Sequence, residues 1–169
     1  KNKFYIGSFQ RDTEGNDLSS PKLSKGPDKF LDVVQYYKEQ NENVEVILTG
    51  KRRQYVIKGL EEKGISYRYF EMSNFETINK LYNCLDLYVV SSRVEGGPQS
   101  ILECSITKTP IISTDVGIAA EILSPSSIFS YQEIEKANPD TEYAYKNVQQ
   151  HLLPTGLQNF NKMFKHHEN

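Results

Sequence analysis

The chain has 169 residues, 37% of them hydrophobic and 25% charged, with a formal net charge of −2. That length suits one domain with a single substantial core. The near-balanced charge leaves no basic field to hold nucleic acid or an anionic membrane surface, and no apolar run approaches the roughly 20 residues that span a bilayer.

Strand-like and helix-like segments alternate along the chain. The charged opening Lys1-Asn2-Lys3 runs into Phe4-Tyr-Ile-Gly-Ser-Phe9, which reads as a short strand and not as a signal peptide. With no initiator methionine before that strand, we expect the chain to be a piece of a larger protein. Arg11 to Pro27 is polar and dense in Gly, Pro, Ser and Asp, a connection long enough to be either functional or mobile. Pro27 then opens a helix, with Phe30, Leu31, Val33, Val34 and Tyr37 at helical spacing. Val44 to Thr49 is a second strand ended by Gly50. Tyr55, Val56 and Leu60 mark a second helix stopped at Gly64 after Lys63. Ile65 to Phe70 is a third strand. Ser73 or Asn74 can cap the helix carrying Ile78, Leu81, Tyr82 and Leu85. Leu87 to Ser91 is a fourth strand, followed by a helix after Pro98. Pro110 to Thr114 is a fifth, and Asp115-Val-Gly117 turns into a short helix with Ala119, Ala120, Ile122 and Leu123. Ser127 to Ser130 is a brief sixth strand. From Pro139 the pattern is helical and polar, interrupted by Pro154-Thr-Gly156 and ended by a charged tail.

Six βα units in series predict an α/β fold, a doubly wound, mostly parallel Rossmann-like sheet with its ligand beyond the C-terminal strand ends. Arg11 to Gly26, Thr49-Gly50, Glu71-Met72, Glu95 to Ser100 and Asp115 to Gly117 all follow strands, so they share one rim. No internal repeat appears, and no low-complexity tract beyond the first loop. Cys84 and Cys104 fall in apolar helical patterns and are expected to be buried free thiols in a reducing cytosol. A catalytic cysteine would want a histidine beside it, and His151, His166 and His167 all lie near the C-terminus.

The most informative stretch runs from Ser91 to Glu103. A strand feeds Gly96-Gly97-Pro98 and then a helix whose first N–H groups have no helical partner, which is a ready anion site. With Pro98 as the first helical residue, Gly97 is the N-cap and Gln99 and Ser100 offer the free N–H groups. Gly96 and Gly97 lack Cβ atoms and let a phosphate approach the backbone, although a plain tight turn would use the same residues. Glu95 and Glu103 flank this turn. Glu95 could serve the helix dipole alone. Glu103 could be a solvated helix-face glutamate, yet it sits between Leu102 and Cys104, roughly 7–8 Å along the axis from Pro98, about the reach from a phosphate to the ribose of one nucleotide. Arg11 directly follows the first strand, and Lys25 stands at a helix start, against the dipole; either could neutralise a diphosphate leaving group. Lys22 reads as a solvated loop lysine, and Lys51-Arg52-Arg53 as a surface cluster that could also help hold an anion.

Together these residues resemble the C-terminal half of the retaining GT-B glycosyltransferases of family four, also called group one. Their Glu-x₇-Glu signature, in a Ser-x-x-Glu-Gly…Leu-Glu frame, is matched by Ser92-Arg-Val-Glu95-Gly96 through Leu102-Glu103. Thr109-Pro110-Ile-Ile-Ser-Thr114-Asp-Val-Gly117 and Glu121 match the segment that follows it, and Gly7…Arg11 with Lys25-Gly26 match the phosphate loop. Where many members have Gly-Phe-Gly, this chain has Gly96-Gly97-Pro98-Gln99, which alters the walls of the sugar subsite. The resemblance implies that Glu95 sits near the donor sugar, Glu103 bonds the ribose hydroxyls, and Arg11 and Lys25 grip the diphosphate with N–H groups after Pro98. The base would lie near Phe70 to Met72. It implies no metal and no cofactor beyond an NDP-sugar donor, UDP or GDP. Residues 1–169 would be the donor-binding domain, with 1–138 the core and 139–169 crossing to pack on an N-terminal domain that holds the acceptor glycan, lipid or small molecule. The whole protein would be a cytoplasmic hexosyltransferase acting with retention. Two other readings fit the same site: half of a GT-B-like sugar-nucleotide epimerase, and a non-enzymatic nucleotide-binding module. A receiver-type module would want an acidic cluster after the first strand, which Gly7-Ser-Phe-Gln-Arg11 does not supply.

Overall fold

The computed structural model describes residues 3–40 and 43–165; the opening Lys1-Asn2 and the tail bearing His166 and His167 lie outside them. Five strands form one parallel sheet: β1 (Phe4–Ser8), β2 (Val44–Thr49), β3 (Ser66–Phe70), β4 (Leu87–Val90) and β5 (Ile111–Ser113), in the order β3-β2-β1-β4-β5. The chain steps outward from β1 to β3, then returns to place β4 on the other side of β1. The switch point between β1 and β4 is where a crevice opens in such sheets.

Every residue of β2 and β4 is buried, so neither strand has a solvent-exposed face, as expected of strands covered on both sides. Alternate residues part to opposite faces. Val46, Leu48, Leu87 and Val89 join a core with Phe30 and Val33 of α1 (Pro27–Gln40) and Val56 and Leu60 of α2 (Gln54–Glu62). Ile47, Tyr88 and Val90 face the other core. That one is closed by α3 (Phe75–Cys84), α4 (Gln99–Thr107), α5 (Ala119–Ile122) and α6 (Thr141–Val148). The sheet is therefore doubly wound, as the sequence predicted. Ala144 and Val148 of α6 are buried in this second core, against α4 and α5, whereas α7 (Thr155–Lys165) exposes Leu157 and Phe164.

Three expectations need correction. The sixth strand is reduced to a single parallel bridge between Ser113 and Ile128. The preceding Ser124-Pro-Ser-Ser127 winds into a 3-10 turn capped by the Ser124 hydroxyl, which leaves too little extended chain to continue the ladder. Cys84 is exposed, while Cys104 is fully buried. Cys84 lies two residues past buried Tyr82 and so falls on the opposite side of α3. Arg53 is no surface residue. It is completely buried, with Nε donating to Asp12 Oδ2 (2.9 Å), Nη1 to the carbonyls of Ser8 and Thr49, and Nη2 to Ser8 Oγ (3.3 Å).

That buried guanidinium joins the ends of β1 and β2 to the first loop. The loop is a small hairpin, bridged at Thr13 and Pro21, with the Asp17 carboxylate accepting bonds from Ser19 and Ser20 at its tip. It returns through a 3-10 turn, Leu23–Lys25, to Gly26. Among the described residues no helix is long and apolar enough to cross a membrane, and no group of three or more His, Cys, Asp or Glu could hold a metal ion.

Candidate donor site at the sheet switch point

A cavity of about 500 Å³ opens beyond the C-terminal ends of β1 and β4. One wall is chain that leaves β1, with Gln10 and Arg11; another is the first loop, with Lys22 and Lys25. The start of α4 forms the third wall, and Phe75 and Ile78 of α3 the fourth.

α4 begins at Gln99, one residue later than the sequence suggested. Pro98 is extended (φ −62°, ψ 112°) and serves as the N-cap, its carbonyl accepting from Ile101 N at 3.0 Å. The N–H groups of Gln99 and Ser100 precede the first helical bond and border the cavity. Gln99 and Ser100 lie four and three residues before Glu103, so each shares a helix face with it. That face looks into the cavity, while Ile101 and Cys104 are buried in the core behind it.

Glu95 lines the cavity from the loop before α4. Ser92 Oγ donates to its Oε2 (2.8 Å), and the Lys25 ammonium pairs with its Oε1. Burial, helped by the neighbouring charges of Lys22 and Arg11, holds the Lys25 ammonium below the usual lysine range. Lys25 and Glu95 meet because two loops are bound together beneath them. Ser91 Oγ donates to Gly26 O (2.8 Å), and the N–H groups of Arg93 and Val94 donate to Ser24 O. The Arg93 guanidinium grips both oxygens of Asp28 (2.8 and 2.6 Å), which keeps that carboxyl below the usual aspartate range. Gly26 is fixed by sterics: its φ is +61°, and a Cβ there would overlap the Ser91 carbonyl. Gly96 and Gly97 differ. Neither has a positive φ, and a Cβ on either would meet open space, so neither turn geometry nor packing requires glycine at those positions.

Arg11, Lys25, Glu95, Gln99, Ser100 and Glu103 thus come together around one cavity, with Gly96 and Gly97 just before its Pro98 edge. Met72 does not join them. It is 76% exposed in the bend after β3, because Asn74 caps α3 through Thr77 N (2.8 Å) and so sets Phe75 and Ile78 against the cavity instead.

Two tyrosines, Tyr82 and Tyr88, lie under the site. Tyr82 is 3% exposed and donates its phenol hydrogen to Glu103 Oε2 at 2.6 Å. Tyr88 is buried too, and its oxygen accepts from Phe9 N (2.9 Å). Burial pushes both phenols up. Their rings pack with Phe9 at centroid distances of 4.8 and 5.2 Å and with each other at 5.5 Å. The available signal was a tyrosine in an apolar stripe, whose hydroxyl needs a partner when buried.

Residues 19–144 match the family model of the glycosyl transferases group 1. The chain belongs to that family. Solved structures of similar shape point the same way for the fold. A mutant of S. aureus TarM, in complex with fondaparinux, alpha-GlcNAc-glycerol and UDP, matches with a TM-score of 0.71 at 16% identity, over 98% of this chain and 35% of that one. Anabaena HepE in complex with UDP and glucose gives 0.72 at 16% identity, over 97% and 48%. The N-terminal domain of Candida albicans trehalose-6-phosphate phosphatase gives 0.75 at 14% identity, over 100% and 43%. No curated protein matches in sequence. This group 1 glycosyl transferase chain therefore has the GT-B type of Rossmann-like domain and spans less than half the length of the structures it resembles.

Proposed function

We propose that the chain is the donor-binding domain of a retaining hexosyltransferase of family four, which takes a UDP- or GDP-sugar and needs no metal or other cofactor. The observation that carries this reading is the convergence of Arg11, Lys25, the α4 N-terminus and the Glu95–Glu103 pair on one cavity at the β1/β4 switch point. In this reading the diphosphate lies against Lys25, Arg11 and the N–H groups of Gln99 and Ser100. The backbone of Gly96 and Gly97, free of side chains, is the approach. Negative charge grows on the diphosphate as the sugar–oxygen bond breaks, and preorganised cations and N–H groups stabilise it there. Glu95 faces the sugar carbon that becomes positive, and Glu103 accepts from the ribose hydroxyls. The base rests on Phe75 and Ile78, in place of the Met72 position.

The Lys25–Glu95 pair adds a condition. An incoming diphosphate must take over Lys25, and the same exchange frees the Glu95 carboxylate to face the sugar. The acceptor, a glycan, lipid or small molecule, would be held by an N-terminal domain outside this chain, against which α7 would lay its exposed Leu157 and Phe164. We place the enzyme in the cytoplasm, in keeping with two unpaired cysteines.

Calorimetric titration with UDP, GDP and their sugars tests the assignment. One of the two diphosphates should bind saturably, and Lys25→Ala and Glu103→Ala should abolish the heat while circular dichroism shows both variants folded. A folded wild-type chain that binds neither contradicts the reading.

A further inference from the structure

We infer that Tyr82 is a positioning residue, which fixes the Glu103 carboxylate so that the site selects ribose over 2′-deoxyribose. The inference rests on the donor-site reading above and adds a residue to it. Glu103 is half-buried at the cavity wall, and its Oε2 is held by the Tyr82 hydroxyl at 2.6 Å. Oε1 is then the oxygen left to accept from a ligand. The tyrosine itself is over-determined. Its carbonyl accepts from Thr109 Oγ1 (3.0 Å), its ring is wedged between Phe9 and Tyr88, and only 3% of it is exposed. A glutamate on an exposed helix face samples several rotamers and must be ordered when a ligand binds. This one is ordered beforehand by a charge-assisted bond from a buried donor, which is the stronger class of hydrogen bond.

The neighbouring phenol has a different duty. Tyr88 accepts from Phe9 N, on the chain that leads from β1 to Arg11, and lines the cavity beside the start of α4. Two hydroxyls of one aromatic cluster therefore serve two parts of the ligand, Tyr82 the ribose and Tyr88 the diphosphate. Loss of packing alone would not separate these effects, since Tyr82→Phe and Tyr88→Phe both keep the ring.

Calorimetry of wild type, Y82F and Y88F with UDP and with 2′-deoxy-UDP separates them. Y82F is expected to lose about tenfold in UDP affinity, the scale of one hydrogen bond to a charged group, and to leave 2′-deoxy-UDP nearly unchanged, so the ratio of the two affinities collapses. Y88F is expected to weaken both ligands by a similar factor and to keep the ratio. Should Y82F fail to fold, Thr109→Val, which releases the Tyr82 carbonyl, is expected to reduce the ratio in the same direction by a smaller factor. A wild-type ratio in folded Y82F, or an equal loss for both ligands, overturns the inference and leaves the donor site standing. A wild-type chain that binds no UDP overturns both.

Discussion

Glu95 carries the sharpest consequence at the scale of single residues. Its carboxylate pairs with the Lys25 ammonium, so in the proposed donor site it would compete with the diphosphate as well as face the sugar. Glu95→Gln in this chain is expected to bind UDP about three- to tenfold more tightly than wild type at low salt, a modest Coulombic gain for partly solvated charges, and the gain should shrink as salt is added. Titration at two salt concentrations checks the sign; weaker binding by the variant would show that Glu95 helps hold the diphosphate. Asp28 gives a pH test. Its carboxyl is held below the usual range chiefly by the Arg93 hydrogen bonds. A carboxylate with a lowered native pKa stabilises the fold above its unfolded value, about 3.9, and loses that contribution as pH falls through the native value. Asp28→Asn should therefore be less stable by about 1 kcal/mol at pH 7, a figure limited by the solvent that reaches the pair, and urea midpoints should converge with wild type below about pH 4. Glu95, Glu103, Arg11 and Lys25 were legible in the sequence, because spacing and position after a strand mark them. Tyr82 and Arg53 were not. A phenol in an apolar stripe and an arginine among surface charges look ordinary until the fold brings Glu103 to one and Asp12 to the other.

Two glycine-bearing turns separate structure from ligand at the scale of elements. Gly26 links the 3-10 turn to α1 in a left-handed conformation with no room for a Cβ. Gly26→Ala is expected to cost about 3 kcal/mol or more, the sum of backbone strain and overlap. Gly97→Ala meets open space and an ordinary backbone, so its stability should stay within about 0.5 kcal/mol of wild type while its UDP affinity falls. Urea unfolding and titration on the same samples give both readings; a destabilised Gly97→Ala would mean that the glycine serves the turn. The same distinction explains how far the elements could be read. Buried strands announce themselves as Val- and Ile-rich runs, and α4 by its proline and glycines. The stretch Ser127 to Ser130 has a strand's composition, but its ladder is one bridge long because the serines before it wind into a turn. No residue pattern states how many partners a short run will find.

For the whole molecule, strand order explains why the site lies where it does. β4 returns to the far side of β1, so the chains leaving these two neighbours diverge and leave a crevice that helices cannot fill. The residues that line it come from chain segments nearly a hundred positions apart, Phe9 at one end and Glu103 at the other. Alternating strands and helices made the doubly wound sheet legible, yet not that Phe75 and Ile78 rather than Met72 would line the crevice, since that depends on where the Asn74 cap sets α3. The measurement that bears most directly on the central claim is a crystal structure of this chain with UDP. The diphosphate should lie on Lys25 and the first N–H groups of α4, with Glu95 released from Lys25, the ribose hydroxyls on Glu103 and the base on Phe75 and Ile78. A nucleotide bound elsewhere on the chain, or one in the cavity with its ribose turned away from Glu103, would contradict it.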